Sequence, residues 1–382
     1  MKKIKITHIL HSVGGVDVSL RLILENTNPS EFENIVIHGT KDTNEVFYDK
    51  NRNLVKEYKL PISREISFTD DLTAIIKAYK IIKTDKPDLI HSHSAKGGVI
   101  GRIIGILTGI PVVHTPQAFS YLSSNNKIKR GVFLWIEKLL SKGNTALLAS
   151  SKSEMDRALQ EVGFDKNKVL LFNNAIKPIE VIEALSIKKT WPDDYICTVG
   201  RPSYQKNIEL MVRVLYQIKK TKKIHLVVMG VGPVSGQLES VRKLIVELDL
   251  TADITLLNWT ERADVFNIIN QSRFYISTAR YEGLPYSIIE SLALSIPCIV
   301  SDCDGNKDLI IDNFNGNLVK ENDIKDFSEK CIRLLNDEKM HLEFSNNAKI
   351  TFEQNFNIIK NIADLEAIYV NQSNLKYKKS FK

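Results

Sequence analysis

Residues 277–305 read Ser-Thr-Ala-Arg-Tyr-Glu-Gly-Leu-Pro-Tyr-Ser-Ile-Ile-Glu-Ser-Leu-Ala-Leu-Ser-Ile-Pro-Cys-Ile-Val-Ser-Asp-Cys-Asp-Gly. The apolar run Phe274–Ser277 leads into this stretch, the amphipathic run Tyr286–Leu294 lies within it, and a second apolar run, Cys298–Val300, lies near its end. Pro285 suits the start of a helix, because proline lacks only a backbone donor that is unused there. The stretch therefore predicts strand, loop, helix and strand, which is one unit of a parallel α/β sheet.

The same alternation of short apolar and amphipathic runs occupies most of the chain. In the first half it predicts strands over Ile4–Leu10, Asn34–His38, Asp88–His91, Pro111–His114, Thr145–Ala149 and Val169–Phe172. The helices predicted between them are Asp17–Glu25, Asp70–Thr84, Gly98–Leu107, Lys127–Leu140 and Lys152–Gln160. In the second half the predicted strands are Tyr195–Val199, His225–Met229, Ile254–Leu257, Phe274–Ser277 and Cys298–Val300. The predicted helices there are Asn207–Lys219, Ser235–Glu247, Ala263–Asn270, Tyr286–Leu294, Ile324–Asn336, Met340–Phe352 and Ile358–Tyr369.

A polar stretch over residues 173–194 separates two α/β blocks of comparable length. We predict an N-terminal domain over residues 1–176 and a C-terminal domain over 177–356, with a last helix, 357–382, packing back on the first domain. Each domain is expected to be a Rossmann-like, doubly wound parallel sheet. Ligands of such sheets bind at the carboxyl ends of the strands, so the two domains are expected to face a central cleft.

The composition is that of an ordinary globular protein, since 43% of the 382 residues are apolar and 25% are charged. This excludes a disordered, collagen-like or membrane-embedded chain. Lys and Arg number 52 against 45 Asp and Glu, and this formal surplus of +7 is spread over the whole chain. It suits an anionic small molecule or membrane surface, and we expect no nucleic-acid partner because those binders concentrate their basic residues.

The cysteines and the chain start predict a reducing, cytoplasmic location. Cys197, Cys298, Cys303 and Cys331 have no metal-binding spacing, and two of them lie within predicted strands, where a thiol acts as a small apolar group. The first residues alternate polar and apolar and lack the apolar core of a signal peptide. The most apolar stretch, residues 103–113, is too short to cross a bilayer.

Gly14, Gly15 and Val16 follow the first predicted strand and lead into a helix. Paired glycines at such a turn let backbone N–H groups approach an anion, and the helix dipole favours negative charge there. Taken alone, the pair is better explained by a plain turn, because the full G-x-G-x-x-G pattern is absent.

Arg201 and Lys206 flank a similar loop in the second block, between the strand Tyr195–Val199 and the helix that follows it. Two cations and a helix N-terminus can converge on one diphosphate. A solvated loop with unrelated charges is the alternative interpretation.

Glu282 and Glu290 lie eight positions apart, the first in a loop and the second about two turns into the following helix. Carboxylates can accept hydrogen bonds from neutral hydroxyls such as those of a sugar and a ribose. Helix N–H groups beside Gly283, Leu284 and Pro285 add donors for a phosphate. A capped helix with one exposed glutamate would be the simpler interpretation of a single carboxylate.

The whole string resembles the signature of the retaining family 4 glycosyltransferases, the glycosyl transferases group 1, which have the GT-B fold. That signature runs Glu-Gly-x-Pro, a second Glu eight residues after the first, Ala-x-x-x-Pro and Asp-x-x-Gly. The likeness covers nearly the full chain. Further matching elements are Gly14-Gly15-Val16, Asn174-Ala175-Ile176, Val199-Gly200-Arg201 with Lys206, and Gly230-Val231-Gly232-Pro233.

The resemblance implies a role for each matching residue. Gly15 and its neighbours, with Arg201 and Lys206, would hold the diphosphate of the donor. Glu282 would contact the donor sugar and Glu290 the ribose hydroxyls. The main chain at Gly283 and Leu284 would assist at the sugar and the phosphate.

One departure concerns Gln117. Many members of the family have Thr-x-His-Gly where this chain has Thr115-Pro116-Gln117-Ala118. A glutamine amide can give and take hydrogen bonds but cannot carry a positive charge. Gln117 is therefore a catalytic candidate by position, without the usual imidazole.

The segment from His91 to Arg102 is similar to the His-Ser-x-Lys-x-Gly-x-x-Gly-Arg segment of members that extend lipid-linked or capsular saccharides, where it lines the acceptor side. His91 and His93 share one face of a strand, and no third ligand has suitable spacing, so we predict no metal site. Asp302 and Asp304 imitate the Asp-x-Asp metal motif of the other glycosyltransferase fold, but we interpret them as part of a loop.

Residues 127–142 combine an apolar helical face, at positions 128, 132, 135, 136 and 139, with basic residues mostly elsewhere. The simpler interpretation is that this face packs against the sheet of the first domain. The alternative is a basic, partly apolar surface that docks on anionic lipid.

The resemblance implies transfer of a hexosyl or N-acetylhexosaminyl unit from a nucleotide diphosphate sugar, with a UDP-sugar as the expected donor, and with retained configuration. Neither a metal nor another cofactor is expected. The expected acceptor is a saccharide, including one linked to polyprenyl diphosphate, which would bring the protein to the inner face of a bacterial membrane. Two rivals are a nucleotide-sugar epimerase of the same fold and a non-catalytic GT-B subunit that binds a partner enzyme.

Overall fold

The computed structural model describes residues 2–375 except 64, 66, 125, 233 and 234. The chain forms two compact units, residues 1–177 with 358–382, and residues 178–357. These divisions lie beside the ones predicted from the sequence. Two parts of the predictions, Pro233 and the basic tail 376–382, lie outside the described residues.

The first unit contains a seven-stranded sheet whose strand pairs are all parallel. Its strands are β1 (Ile4–Ile9), β2 (Phe32–Gly39), β3 (Lys56–Leu60), β4 (Leu89–His93), β5 (Val112–Thr115), β6 (Thr145–Ala149) and β7 (Val169–Leu171). The helices between them are α1 (Gly15–Leu24), α2 (Phe68–Asp85), α3 (Ser94–Thr108), α4 (Lys127–Ser141) and α5 (Lys152–Arg157). The strand order is β3-β2-β1-β4-β5-β6-β7.

The second unit contains a six-stranded parallel sheet in the order β10-β9-β8-β11-β12-β13. Its strands are β8 (Tyr195–Val199), β9 (His225–Met229), β10 (Ile254–Leu256), β11 (Tyr275–Ser277), β12 (Cys298–Ser301) and β13 (Gly316–Val319). Its helices are α6 (Ile208–Lys219), α7 (Leu238–Glu247), α8 (Arg262–Asn270), α9 (Tyr286–Ala293), α10 (Asn306–Leu309), α11 (Ile324–Asn336) and α12 (Glu338–Asn355).

The last helix, α13 (Ile358–Ser373), belongs to the first unit although it follows the second in sequence. The Ile358 N–H donates to the Ile176 carbonyl at 3.0 Å. The Tyr369 hydroxyl, fully buried, lies 2.7 Å from Nδ1 of His91 on β4. A side chain of α13 therefore contributes to the interior beside the central strands of the first unit.

Both sheets bury their central strands on two faces, as parallel sheets covered by helices do. Every residue of β4, β5, β6 and β9 is buried, and these strands correspond to the apolar runs from which they were predicted. The two strands that the prediction missed, β3 and β13, lie at sheet edges. β3 reads Lys-Glu-Tyr-Lys-Leu, and an edge strand can carry such charges because one side of it faces solvent.

The strand order reverses direction between β1 and β4 in the first sheet and between β8 and β11 in the second. Loops that follow the two strands at such a point diverge and leave a crevice, which is where doubly wound sheets bind ligands. Most of the residues singled out from the sequence lie in the loops that follow these strands.

All four cysteines are buried and free. Within the part of the chain that the structure describes, no helix combines the length and the apolar character needed to cross a bilayer.

Candidate functional site

The loop after β8 carries Arg201 near its start and Lys206 near its end. Asn207, which precedes α6, adopts a left-handed conformation with φ 50°, and the Thr278 hydroxyl donates to its carbonyl at 2.9 Å. Thr278 begins the loop that follows β11. A hydrogen bond from the Thr278 side chain to the Asn207 backbone therefore links the two loops at the switch point of the second sheet.

Lys206 and Glu282 form the central contact between these loops. The Lys206 ammonium lies 2.7 Å from Oε1 of Glu282, and the Gln205 amide donates to Oε2 at 3.0 Å. Burial alone would lower the pKa of Lys206, but the carboxylate of Glu282 and the neighbouring Tyr275 raise it. The ammonium is therefore held charged in a partly buried position.

Glycine 305 lets the Glu282 loop approach the segment after β12. A Cβ at Gly305 would lie 2.8 Å from Cβ of Glu282 and 2.8 Å from the Gly283 carbonyl, and its φ is +79°. The Glu282 N–H donates to the Asp304 carbonyl at 3.1 Å. The Asp-x-x-Gly element of the sequence thus supports the loop. Asp304 pairs with Lys307 at 3.0 Å, and Asp302 is exposed in the same turn.

Gly283, Leu284 and Pro285 are buried and lead into α9, whose first turn has no side-chain cap. Glu290 lies on this helix, and its Oε1 is 2.9 Å from the guanidinium of Arg262, the first residue of α8. Burial raises the pKa of Glu290 to about 7, although the Arg262 cation acts in the opposite direction. The two predicted carboxylates therefore have different cationic partners, Lys206 for one and Arg262 for the other.

The first unit presents the glycine turn after β1. Gly14 has φ 61°, and a Cβ built on it would meet no atom within 4 Å, so the turn opens to solvent. Gly14 also precedes α1 without a side-chain cap, and Gly15 is the first helical residue. Val16 packs against the apolar cluster beneath α1. The turn has the exposed backbone that an anion requires.

Gln117 lies in a loop of unusual backbone after β5. Both Gln117 and Ala118 have positive φ, 53° and 74°. The Ala118 N–H donates to Oε1 of Glu154 at 2.8 Å, and the other carboxylate oxygen accepts from Ser150. Both amide atoms of Gln117 are buried, and neither has a hydrogen-bond partner among the described residues. The loop thus holds an unpaired amide, an arrangement that has to be stabilised by its surroundings.

The histidines of the first unit form a group of three, so our inference that no third ligand has suitable spacing was wrong. His8 on β1 is the register partner of His91, and ligand atoms of His8, His91 and His93 lie within 4.8 Å of one another. His8 Nδ1 and His93 Nε2 are 3.1 Å apart, while His91 contacts Tyr369 and Thr115. Burial lowers the pKa of all three, that of His8 to about 4. The trio is a neutral, buried network in which every ring nitrogen but His93 Nδ1 has a partner.

Helix α4 does not bury the apolar face identified from the sequence. Ile128, Val132, Trp135 and Leu139 are 80%, 50%, 62% and 53% exposed. The helix instead packs through its other side, where Phe133 and Leu134 lie against the Phe119–Tyr121 region. The simpler interpretation, packing of the first face against the sheet, is therefore wrong.

Two basic residues of the His91–Arg102 segment form ion pairs within the first unit. Arg102 is fully buried and pairs with Glu137 of α4 at 2.8 Å. Lys96 pairs with Asp71 at 2.6 Å.

Sequence reasoning missed the residues that hold the candidates in place. Arg262 belongs to no sequence motif, and it contacts Glu290 only in the folded chain. Asp42, which accepts hydrogen bonds from His11 and the backbone beside it, follows β2. An acidic residue in the loop after β2, the strand beside β1, is the signal that could have indicated it.

Comparisons with known proteins bear on the family and the fold. The glycosyl transferases group 1 model matches residues 181–351, and the glycosyl transferase 4-like domain model matches residues 14–175. The chain is 28% identical over 329 residues to UDP-Gal:alpha-D-GlcNAc-diphosphoundecaprenol alpha-1,3-galactosyltransferase of Escherichia coli, covering 83% of this chain and 84% of that protein.

Solved structures share the architecture at low identity. Sucrose-phosphate synthase from Thermosynechococcus elongatus has a TM-score of 0.82 at 17% identity, over 97% of this chain and 99% of that one. Anabaena Alr3699/HepE, solved in complex with UDP-glucose, has a TM-score of 0.75 at 16% identity, over 95% of this chain and 99% of that one. The two family models match one unit each and together take in most of the sequence. The chain belongs to the glycosyl transferases group 1 family, the family 4 glycosyltransferases of GT-B fold.

Proposed function

We propose that this glycosyltransferase moves a hexosyl or N-acetylhexosaminyl unit from a UDP-sugar to a lipid-linked saccharide, with retained configuration, in the assembly of a cell-surface polysaccharide. The observation that carries the proposal is the contact of Lys206 with Glu282 at the switch point of the second sheet. A partly buried ammonium beside a buried carboxylate suits a donor that presents a diphosphate and a neutral sugar side by side.

The cationic side chains stabilise the charge that develops during transfer. In a retaining step the acceptor oxygen forms a bond to the anomeric carbon as the bond to the donor phosphate breaks. The acceptor proton passes to the leaving phosphate oxygen, so no protein base is required. Negative charge grows on the diphosphate, and preorganised cations such as Lys206 and Arg201 stabilise it.

Glu282 and Glu290 recognise different parts of the donor. Glu282 is held by Lys206 and Gln205, and its oxygens suit the hydroxyls of the transferred sugar. Glu290 lies within α9 beside Arg262 and suits the ribose hydroxyls. Gln117, in the first unit, supplies a neutral amide for a hydroxyl in place of the family's histidine.

The choice of UDP and of a lipid-linked acceptor draws on relatives. The Escherichia coli relative is named for UDP-Gal and for a diphosphoundecaprenol acceptor, and the Anabaena structure contains UDP-glucose. Family members that share the His91–Arg102 segment extend lipid-linked or capsular saccharides. A saccharide carried on polyprenyl diphosphate is therefore the acceptor that we propose.

Such an acceptor brings the protein to the membrane, and the outward face of α4 fits that surface. Its exposed apolar stripe is flanked by the exposed basic residues Lys127, Lys129 and Arg130. Each basic residue near an anionic leaflet contributes about 1 kcal/mol, and the apolar stripe adds burial in the interface. We expect salt-sensitive, peripheral attachment of the cytoplasmic protein through α4.

Co-sedimentation with anionic liposomes tests this attachment. We expect binding at low salt and its loss when Lys127, Lys129 and Arg130 are changed to Glu. The matched control changes Lys220, Lys222 and Lys223 of the second unit to Glu, which removes the same charge far along the sequence and should leave binding intact. Equal binding by both triple variants would exclude α4 as the docking surface.

One assay separates the proposed activity from its rivals. The protein is titrated with a panel of nucleotide sugars, and the products formed from the tightest binder are analysed with and without acceptor. A transferase consumes the donor only with an acceptor, an epimerase converts it without one, and a non-catalytic subunit does neither. Conversion without acceptor would overturn the proposal in favour of the epimerase.

A further inference from the structure

A buried carboxylate lies beneath the glycine turn of the first unit. The side chain of Asp42 is 0% exposed. Its Oδ1 lies 2.7 Å from Nδ1 of His11, and its Oδ2 accepts from the backbone N–H groups of Ser12 and Gly39. Burial alone would raise the pKa of Asp42, but the hydrogen bond from His11 and the two backbone N–H groups lower it.

The end of β2 is shaped to hold this carboxylate. A Cβ built on Gly39 would lie 2.2 Å from Oδ1 of Asp42, so no other residue fits at position 39 with this geometry. A buried, ionised carboxylate is retained only where its hydrogen bonds are satisfied. The donors that satisfy Asp42 come from the turn that leads from β1 toward α1 and from the end of β2.

The ring of His11 is partly exposed, unlike that of the neighbouring His38. Its side chain is 23% exposed, and no described residue contacts Nε2 as a hydrogen-bond partner. His11 precedes Gly14, where the backbone opens to solvent, and α1 begins at Gly15 without a side-chain cap. An imidazole with one nitrogen fixed by a carboxylate and the other free lies in the same turn as an open helix N-terminus.

We propose that His11, oriented by Asp42, binds a phosphate oxygen of a diphosphate that reaches the glycine turn. The inference rests on the proposed function, because it takes the nucleotide diphosphate as the ligand. His11 is the contacting residue, and Asp42 is a positioning residue that acts through it.

The hydrogen bond to Asp42 dictates how His11 can do this. The carboxylate accepts the Nδ1 proton, so a neutral ring presents an unprotonated Nε2, which cannot donate to phosphate. Binding therefore needs a second proton on the ring, and the resulting imidazolium donates from Nε2 while Asp42 balances its charge. Uptake of a proton with the ligand is the chemical signature of this contact.

The other groups around Asp42 do not supply that proton. His38 lies 3.9 Å from Oδ2 of Asp42 and 3.4 Å from Glu57, and burial lowers the pKa of its ring. The Ser12 hydroxyl donates to Asp17, which is paired with Arg21. Of the two imidazole rings beside Asp42, that of His11 is partly exposed and that of His38 is fully buried.

Two diphosphates could occupy this position, that of the donor and that of a polyprenyl-linked acceptor. Calorimetric titration of the full-length protein with UDP, and separately with farnesyl diphosphate, distinguishes them. Each titration is repeated in two buffers of different ionisation enthalpy, which measures the protons taken up. UMP and uridine serve as ligands that lack the diphosphate.

Two variants of His11 measure the contribution of its imidazole to binding. His11→Ala should weaken UDP binding about tenfold, the size of one charge-assisted hydrogen bond at a partly exposed site, and should leave uridine binding unchanged. His11→Gln can donate to phosphate without a proton, so it should bind UDP more tightly than the alanine variant and take up fewer protons than the wild type. His341→Ala, which removes a histidine of the second unit, is the matched control.

Each outcome decides one point. Wild-type UDP affinity and proton uptake in His11→Ala, with farnesyl diphosphate binding equally unaffected, would overturn the inference and leave the proposed function standing. A loss confined to farnesyl diphosphate would assign the contact to the acceptor. If the wild-type protein binds neither diphosphate, both proposals fail together.

Discussion

The ionisation of Glu290 allows a sharp test of its assignment to the nucleoside. Burial within α9 raises its pKa to about 7, so the carboxylate is partly protonated near neutral pH. A carboxylate accepts hydrogen bonds from two ribose hydroxyls, whereas the protonated acid gives up one of its acceptor positions. Nucleoside affinity should therefore rise as the pH rises through the pKa.

The magnitude follows from the ionised fraction. With a pKa of about 7, that fraction is about one tenth at pH ~6 and about nine tenths at pH ~8, and apparent affinity scales with the population of the competent form. We expect binding about tenfold weaker at the lower pH. Uridine is the ligand of choice, because it has no phosphate that titrates in this range.

Two variants identify the titrating group. Glu290→Gln cannot ionise, so its uridine affinity should not change with pH over this range. Arg262 lowers the pKa of Glu290, so Arg262→Ala should move the pH dependence to higher pH. Arg242→Ala, which removes another ion-paired arginine of the second unit, is the control and should leave the profile in place.

Isothermal titration of uridine at a series of pH values measures these profiles. A wild-type affinity that does not change with pH would refute the assignment of Glu290 to the ribose. So would a pH dependence that persists in Glu290→Gln, because another group would then be responsible.

Three further predictions concern the transfer step. Arg201→Ala or Lys206→Ala should lower kcat by on the order of 10²–10³ in a radiolabel transfer assay with folding intact, because each removes a preorganised cation, and near wild-type turnover in both would mean that the phosphate site lies elsewhere. Glu282→Gln should impair sugar transfer while sparing uridine affinity, whereas equal losses of nucleoside affinity in Glu282→Gln and Glu290→Gln would contradict the division of roles. Activity should survive excess EDTA, since cationic side chains stabilise the leaving group, and loss on chelation that Mg²⁺ or Mn²⁺ restores would contradict this and direct attention to Asp302 and Asp304.

Features set by local sequence were predictable, whereas contacts between residues far apart in the sequence were not. Periodicity identified the central strands, most of which are rich in apolar residues, and missed the edge strands β3 and β13. The charges of β3 suit a sheet edge. Motif order brought Lys206 and Glu282 into one hypothesis, but their ion pair depends on β8 lying beside β11, which local sequence does not encode.

Helix α4 shows a second limit of sequence reasoning. Its sequence contains two apolar faces, and periodicity alone does not say which one is buried. Phe133 and Leu134 pack inward on the side of Glu137, whose carboxylate pairs with the buried Arg102, and this leaves Trp135 and its neighbours outward. An ion pair between two helices, invisible in a hydrophobic pattern, accompanies this orientation.

The position of α13 has a consequence for how the protein is made. Tyr369, in the second half of α13, is fully buried against His8, Phe32 and His91, which lie on β1, β2 and β4. The residues between them, 178–357, form the second unit. During synthesis, α13 cannot cover this part of the interior of the first unit until residues 178–357 have been translated. Because domains fold as units while the chain emerges, the half that begins first is completed last, and a chain cut short after the second unit would leave the first one open to aggregation.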